Sequence, residues 1–191
     1  MVNPMKLYPY YFFDKILNSE QIKEVNKIIE KNHHGNEVED SGAKDKTGEY
    51  KKSSTVKLIK YEFLKDILEP VIEGFIRTNT NEYGYELFPL TIKDIFNYNI
   101  YSSENNSKYD WHIDIARRQI SDIKLTILIN LSDNFTGGEF WLNPGNKVMA
   151  KELSNPGSAI IFKSDIIHSV TPIKSGTRKT LAIFLEGPNW K

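Results

Sequence analysis

His112 and Asp114 stand two residues apart in the string Tyr109-Asp110-Trp111-His112-Ile113-Asp114. Residues two apart in an extended chain point to the same face, so this imidazole and carboxylate can reach one metal ion while Ile113 turns away. A third ligand must come from elsewhere. His168 is the natural candidate, because it follows the apolar run AIIFK (159–163) and precedes SVTPI (169–173). Two imidazoles and one carboxylate on one face of an octahedral ion leave three positions open. That suits non-haem Fe(II) chemistry, in which O2 and a co-substrate both bind the metal. Zinc sites also use two histidines and a carboxylate, so the ligand set alone does not name the ion. Arg178, ten residues after His168, is the discriminating group. It is expected just beyond a turn at Lys174-Ser175-Gly176-Thr177, after which the chain returns as a neighbouring strand. A fixed guanidinium grips a carboxylate through two parallel hydrogen bonds. A dicarboxylic keto acid calls for that anchor, since one end chelates the metal and the other needs a partner.

Strands are the elements that must hold these groups. IFNYNIY (95–101), LTILINL (125–131), EFWL (139–142), AIIFK (159–163), HSVTPI (168–173) and TLAIFL (180–185) are short and rich in β-branched and aromatic residues, with Gly, Pro, Asn or Asp between them. Several short strands with no helices between them predict an antiparallel sandwich or jelly roll. The first third reads as helical and irregular. Asn18 or Ser19 caps a helix, Gln21 completes a capping box from Asn18, and Ile22, Val25, Ile28 and Ile29 share one face up to about Asn32. The polar segment 35–53 has no periodicity and reads as a solvated loop or as a lid over the site. A second helix is expected over roughly 62–77. Phe63, Ile67, Val71 and Phe75 recur at a spacing of four, with Leu64, Leu68, Ile72 and Ile76 beside them, and Pro70 is expected to kink or restart it. One domain over 1–191 follows, with a helical N-terminal region over residues 1–80 and a strand core over about 87–186.

The bulk properties narrow the chemistry further. The 191 residues are 39% hydrophobic and 26% charged, with formal net charge zero. That balance disfavours nucleic acid as a partner, which would call for a basic excess. There is no cysteine, so disulfides, thiolate metal sites and cysteine nucleophiles are excluded. No run approaches a membrane span and no signal segment is evident, so a cytoplasmic location without membrane attachment is expected.

The ordered strings resemble the prolyl 4-hydroxylase type of Fe(II)- and 2-oxoglutarate-dependent dioxygenases over roughly 96–186. Tyr109, His112 and Asp114 resemble its Y-x-x-H-x-D. The run 125–131 followed by Gly137-Gly138-Glu139-Phe140 resembles its strand and GGE-type turn. Pro156-Gly157-Ser158-Ala159-Ile160-Ile161-Phe162 is similar to the segment ahead of the distal histidine. His168 through Thr171-Pro172-Ile173, then Gly176-Thr177-Arg178, resembles H-x-V-x-P-V-x-x-G-x-R.

The resemblance implies a double-stranded β-helix (jelly roll) supported by N-terminal α-helices. It implies His112, Asp114 and His168 as Fe(II) ligands and Arg178 as partner of the 2-oxoglutarate C5 carboxylate. It also implies Tyr101 as a pocket tyrosine that hydrogen-bonds the co-substrate. Asn130 occupies roughly the place of a second family tyrosine, and the segment 102–108 lacks the usual glycine. The activity implied is hydroxylation of a C–H bond with release of succinate and CO2, needing O2 and ascorbate. A prolyl residue in a peptide or protein is the expected target, as in procollagen-proline 4-dioxygenase. A lysyl residue, a free amino acid or a small molecule remains open, as does a non-catalytic jelly-roll module binding a structural ion. A zinc hydrolase is disfavoured for want of a glutamate base beside the ligands.

Other conspicuous residues have plainer readings. His33 and His34 are expected to close the first helix, where the dipole favours them. Trp141 is expected to pack, and Trp111 either to pack or to line a substrate groove. Arg117 and Arg118 read as solvated charge. Gly137-Gly138 reads as a tight turn at positive φ and not as a phosphate loop.

Overall fold

The computed structural model describes residues 8–39, 53–114 and 120–190. Two helices, α1 (Ser19–Asn32) and α2 (Lys65–Thr78), lie toward the N-terminus. Around them run β1 (Tyr10–Phe13), β2 (His34–Glu39) and β3 (Thr55–Lys60). The rest is strand: β4 (Ile95–Ser102), β5 (Tyr109–His112), β6 (Asp122–Asn130), β7 (Phe135–Gly137) and β8 (Phe140–Asn143). Then follow β9 (Val148–Met149), β10 (Ala159–Lys163), β11 (Ile167–Val170) and β12 (Ile173–Gly187). The strands form an eight-stranded major sheet, ordered β1-β10-β6-β12-β4-β3-β2 with β7 on β12, and a four-stranded minor sheet, ordered β5-β11-β8-β9. This is the expected jelly roll.

The alternation of each central strand builds two cores. On the outer face of the major sheet, Phe96, Tyr98, Leu125, Ile127, Ile129, Leu181 and Ile183 meet Ile22, Val25 and Ile29 of α1 and Leu68, Ile72 and Phe75 of α2. On its inner face, Tyr101, Ile160 and Phe162 meet Phe140, Leu142 and Val170 of the minor sheet. The helices thus cover one side of the major sheet, and the other side is left to the cleft between sheets.

Helix α1 matches its sequence signals. Asn18 Oδ1 accepts from Glu20 N and Gln21 N, and Gln21 Oε1 accepts from Asn18 N, closing the capping box. Helix α2 departs from expectation in two ways. A 3-10 turn over Tyr61–Phe63 precedes it, and the helix runs unbroken through Pro70. Pro70 lies close to the helix start, so it removes a single early hydrogen bond, while burial of Leu64, Leu68, Ile72 and Phe75 holds the turns on either side. Phe63 and Ile76 stay exposed, because the buried stripe runs Leu64, Leu68, Ile72 and then Phe75, crossing from one run to the other in its last step.

Strands β2 and β3 were not legible in the sequence. β2 is an edge strand of polar residues, which need no apolar alternation when only one neighbour pairs with them. The front of segment 35–53 is therefore strand, and residues 40–52, most of the expected lid, lie outside the described residues. β3 hides a buried lysine: Lys57 is 7% exposed and pairs with Glu30 of α1 at 2.5 Å. The expected turn at 174–177 is also corrected. The chain crosses between sheets at Thr171-Pro172, and β12 then runs continuously from Ile173. Gly176 (φ 74°) marks an irregularity beside β7, where a Cβ would sit 2.0 Å from the Asn134 carbonyl oxygen.

Phe75 is 1% exposed and meets Phe13 edge to face at 4.9 Å between ring centroids. Phe75→Ala should therefore cost about 3–5 kcal/mol, read as a lowered urea midpoint at unchanged m-value.

Candidate active site

Antiparallel pairing of β11 with β5 sets His168 directly opposite His112. Both imidazoles are oriented by the backbone: His112 Nδ1 lies 2.7 Å from the Asp110 carbonyl oxygen and His168 Nδ1 lies 2.8 Å from that of Ile166. With Nδ1 donating to a carbonyl, the free lone pair is on Nε2, and both Nε2 atoms face Asp114. His112 Nε2 lies 3.6 Å from Asp114 Oδ1, and His168 Nε2 lies 3.3 Å from Oδ2. One ligand atom from each of the three residues falls within 4.8 Å of the others. Asp114 is fixed in turn by its own N–H, which donates to Ser164 O at 3.0 Å, and by Thr126 Oγ1, which donates to Oδ2 at 2.9 Å.

Aromatic side chains wall this cluster. Tyr109 stacks on His112 with ring centroids 3.3 Å apart, and Phe140 and Phe162 pack around His168, which is 3% exposed. Burial alone raises the Asp114 carboxyl pKa. With the imidazoles protonated, so that Nε2 also carries a hydrogen, the His168 hydrogen bond and charge, the His112 charge and the Thr126 hydroxyl outweigh it and hold the group below its ordinary 3.8.

Arg178 sits across the major sheet, paired in register with Tyr101. It is only 2% exposed. No carboxylate of a described residue is within ion-pair range of it, and the Tyr101 ring centroid lies 5.6 Å from Cζ. Burial pushes its pKa down to about 10, with Tyr101 pulling the other way. A backbone without side chain makes room for it. A Cβ at Gly138 (φ 63°) would stand 3.0 Å from Arg178 Cδ and 2.4 Å from Ile173 Cδ1. Gly137 and Gly138 both adopt positive φ, as the tight-turn reading requires.

His112, Asp114, His168, Arg178, Tyr101 and Tyr109 line one cavity of about 170 Å³. At about 30 Å³ per water that is room for roughly five or six waters, a volume for a small organic acid and not for a large ligand. All the sequence-derived site residues are thus brought together. The same cavity is lined by residues the sequence reading passed over: Asn97, Asn99 and Thr180. Their signal was available as polar residues on the inward parity of otherwise apolar strands.

Residues 96–186 match the family model described as the 2OG-Fe(II) oxygenase superfamily. The match covers the β core, which resembles that superfamily. A PKHD-type hydroxylase of Crocosphaera subtropica is 27% identical over 173 residues, covering 86% of this chain and 72% of that protein. One from a Synechococcus strain is 27% identical over 86 residues, covering 44% of this chain and 39% of that protein. The match therefore spans less than half the length of the Synechococcus relative. In fold, the chain is similar to a Pseudomonas putida prolyl-4-hydroxylase, with a TM-score of 0.69 at 13% identity over 95% of this chain and 94% of that one.

Around this cavity, two expectations change. Asn130 is not available to a co-substrate: its Nδ2 donates to the Ser154 and Asn155 carbonyls and its Oδ1 accepts from Ser132. In segment 102–108, Asn106 (φ 46°) takes the left-handed backbone that a glycine would supply. Trp141 is half-buried on β8, beside Met149 of β9. Trp111 faces away from the cavity, 39% exposed, with Lys147 Nζ 5.1 Å from its ring. His33 caps α1 through its N–H to Ile29 O, and Arg117 and Arg118 lie outside the described residues.

A carboxyl whose folded pKa lies below its unfolded value stabilises the fold above the unfolded pKa. That contribution is lost as pH falls through the folded value. In metal-free protein the Asp114 contribution should be complete above about pH 5 and fade below about pH 4. Urea titrations across that range should give Asp114→Asn a shallower acid limb than wild type.

Proposed function

We propose that the chain is an Fe(II)- and 2-oxoglutarate-dependent dioxygenase that hydroxylates a C–H bond of a prolyl residue in a peptide or protein. One observation carries this reading: a buried guanidinium with no carboxylate partner among the described residues shares a small cavity with a His-Asp-His cluster. A buried charge needs compensation, and here the compensation left open is an anionic ligand. His112, Asp114 and His168 would hold Fe(II), with both Nε2 atoms and a carboxylate oxygen directed at one point. When bound, the metal and 2-oxoglutarate supply activation of O2 with oxidative decarboxylation to succinate and CO2.

The chain's own residues bind and orient. Arg178, with Tyr101 beside it, grips the distal carboxylate of the dicarboxylate. Thr126 and the backbone of Ser164 keep the Asp114 carboxylate facing the two imidazoles. Tyr109, Phe140 and Phe162 keep water from the imidazole rings. Ascorbate serves as external reductant for the iron.

Hydroxylation is supported by the likeness to PKHD-type hydroxylases, and the peptidyl-prolyl target by the fold shared with prolyl hydroxylases. One of those, from Trichoplax adhaerens, was solved with a hypoxia inducible factor peptide fragment. Purified protein with Fe(II), ascorbate, O2 and 2-oxoglutarate should form succinate, and a proline-rich peptide should stimulate it and gain one oxygen by mass. His112→Ala should abolish turnover. Arg178→Ala should raise the apparent KM for 2-oxoglutarate tens of times to about a hundredfold, the loss expected for charged hydrogen bonds. No succinate and no anaerobic binding of 2-oxoglutarate would leave a jelly-roll module with a structural ion. Stimulation by lysyl peptides or free amino acids alone would reassign the substrate.

A further inference from the structure

The inner face of the major sheet carries polar groups that neither the metal cluster nor the arginine anchor accounts for. Across β4 and β12, Tyr101 pairs with Arg178, Asn99 with Thr180, and Asn97 with Ala182. All six line the cavity that holds the His-Asp-His cluster. One row further along β12, Phe184 pairs with Thr126, the residue whose hydroxyl holds Asp114. The Asn99–Thr180 row therefore lies between the anchor row and the row that supports the metal cluster. A molecule stretched from Arg178 to the cluster passes over it.

Both side chains of that row are poised for a ligand. Asn99 is 7% exposed and Thr180 2% exposed. The Asn99 amide makes one long bond, Nδ2 to the Asn97 carbonyl at 3.3 Å, which leaves its second N–H without a partner among the described residues. The Thr180 hydroxyl likewise has none. Neither belongs to the buried polar atoms shut off from any partner, so both reach the cavity. Buried polar side chains in native folds are hydrogen-bonded, and two adjacent ones turned into a cavity are completed by what enters it. Asn130, the third inward polar group at this level, shows the contrast, because the Ser154 and Asn155 carbonyls already engage it.

We infer that Asn99 and Thr180 are positioning residues for the co-substrate. Through the amide N–H and the hydroxyl they hydrogen-bond the α-keto-carboxylate end of the dicarboxylate that Arg178 anchors. This rests on the dioxygenase reading above. Their role would be to set the angle at which that end meets the metal, while Arg178 sets how far in it reaches.

The test is binding without turnover: calorimetric titration of 2-oxoglutarate into protein loaded with Mn(II) in place of Fe(II), without reductant. Thr180→Val keeps the shape and removes the donor, and should weaken binding about tenfold, while Thr180→Ser restores it. Asn99→Ala should weaken it similarly. Asn99→Asp should weaken it more, because it sets a carboxylate against a carboxylate. Mn(II) affinity and the melting temperature of ligand-free protein should stay at wild-type values in Thr180→Val, which separates positioning from a structural role. Wild-type affinity in both Thr180→Val and Asn99→Asp would overturn the inference and leave the dioxygenase reading standing. Failure of the wild-type protein to bind 2-oxoglutarate would overturn both.

Discussion

The His-Asp-His cluster depends on one register. β5 and β11 are four residues each, and their pairing sets His112 against His168 with Val170 against Tyr109. Because side chains alternate, a slip of β5 by a single residue would turn Trp111 or Ile113 inward and His112 out. The slip is opposed from several directions. β8 holds the far side of β11, pairing Leu142 with His168. The inward side chains of the minor sheet, Phe140, Leu142 and Val170, are locked into the core between the sheets. Two carbonyls that accept from Nδ1 then convert a correct register into a correct ring orientation.

Against this stands a charge in the wrong place for stability. Arg178 ranks among the largest fully buried side chains, and its lowered pKa measures what desolvation does to it. Apolar packing in the same position would be at least as stable, so the guanidinium is a cost to the fold carried elsewhere. The compensation lies on the other face of the same strand. Leu181, Ile183 and Leu185 alternate with the cavity residues and are sealed beneath α1 and α2. β12 thus carries the polar wall of the site on one side and the centre of the helix-covered core on the other.

What could be read from the sequence was what is local to one strand or one helix end. H-x-D declares a shared face by parity alone, and Asn18 with Gln21 declares a cap, because both need only neighbours in sequence. The distal pair His168 and Arg178 was legible through spacing and motif order, although the intervening Lys174-Ser175-Gly176-Thr177 misled. Its turn-like composition serves a close approach of backbones beside β7 and not a reversal. β2 and β3 escaped because an edge strand can be polar and because Lys57 is buried only with Glu30 of α1 to meet it. Asn130 looked like a pocket residue by position, yet its partners come from a turn that spacing cannot reveal. Asn99 and Thr180 gain meaning only once β4 is laid beside β12. Sequence displays the parity of a strand, while the identity of its neighbours is a tertiary fact.

The bare backbone at Gly138 makes one position answerable to two distant stretches of the chain. Its missing side chain is the space that the Arg178 stem and the Ile173 methyl occupy. A lineage that added even a methyl at this position would have to displace the Ile173 methyl, ease the arginine stem aside and hold a side chain at a φ of 63°. The dependence runs one way: a side chain at the glycine is felt by the arginine, while loss of the arginine leaves the backbone at the glycine as demanding as before.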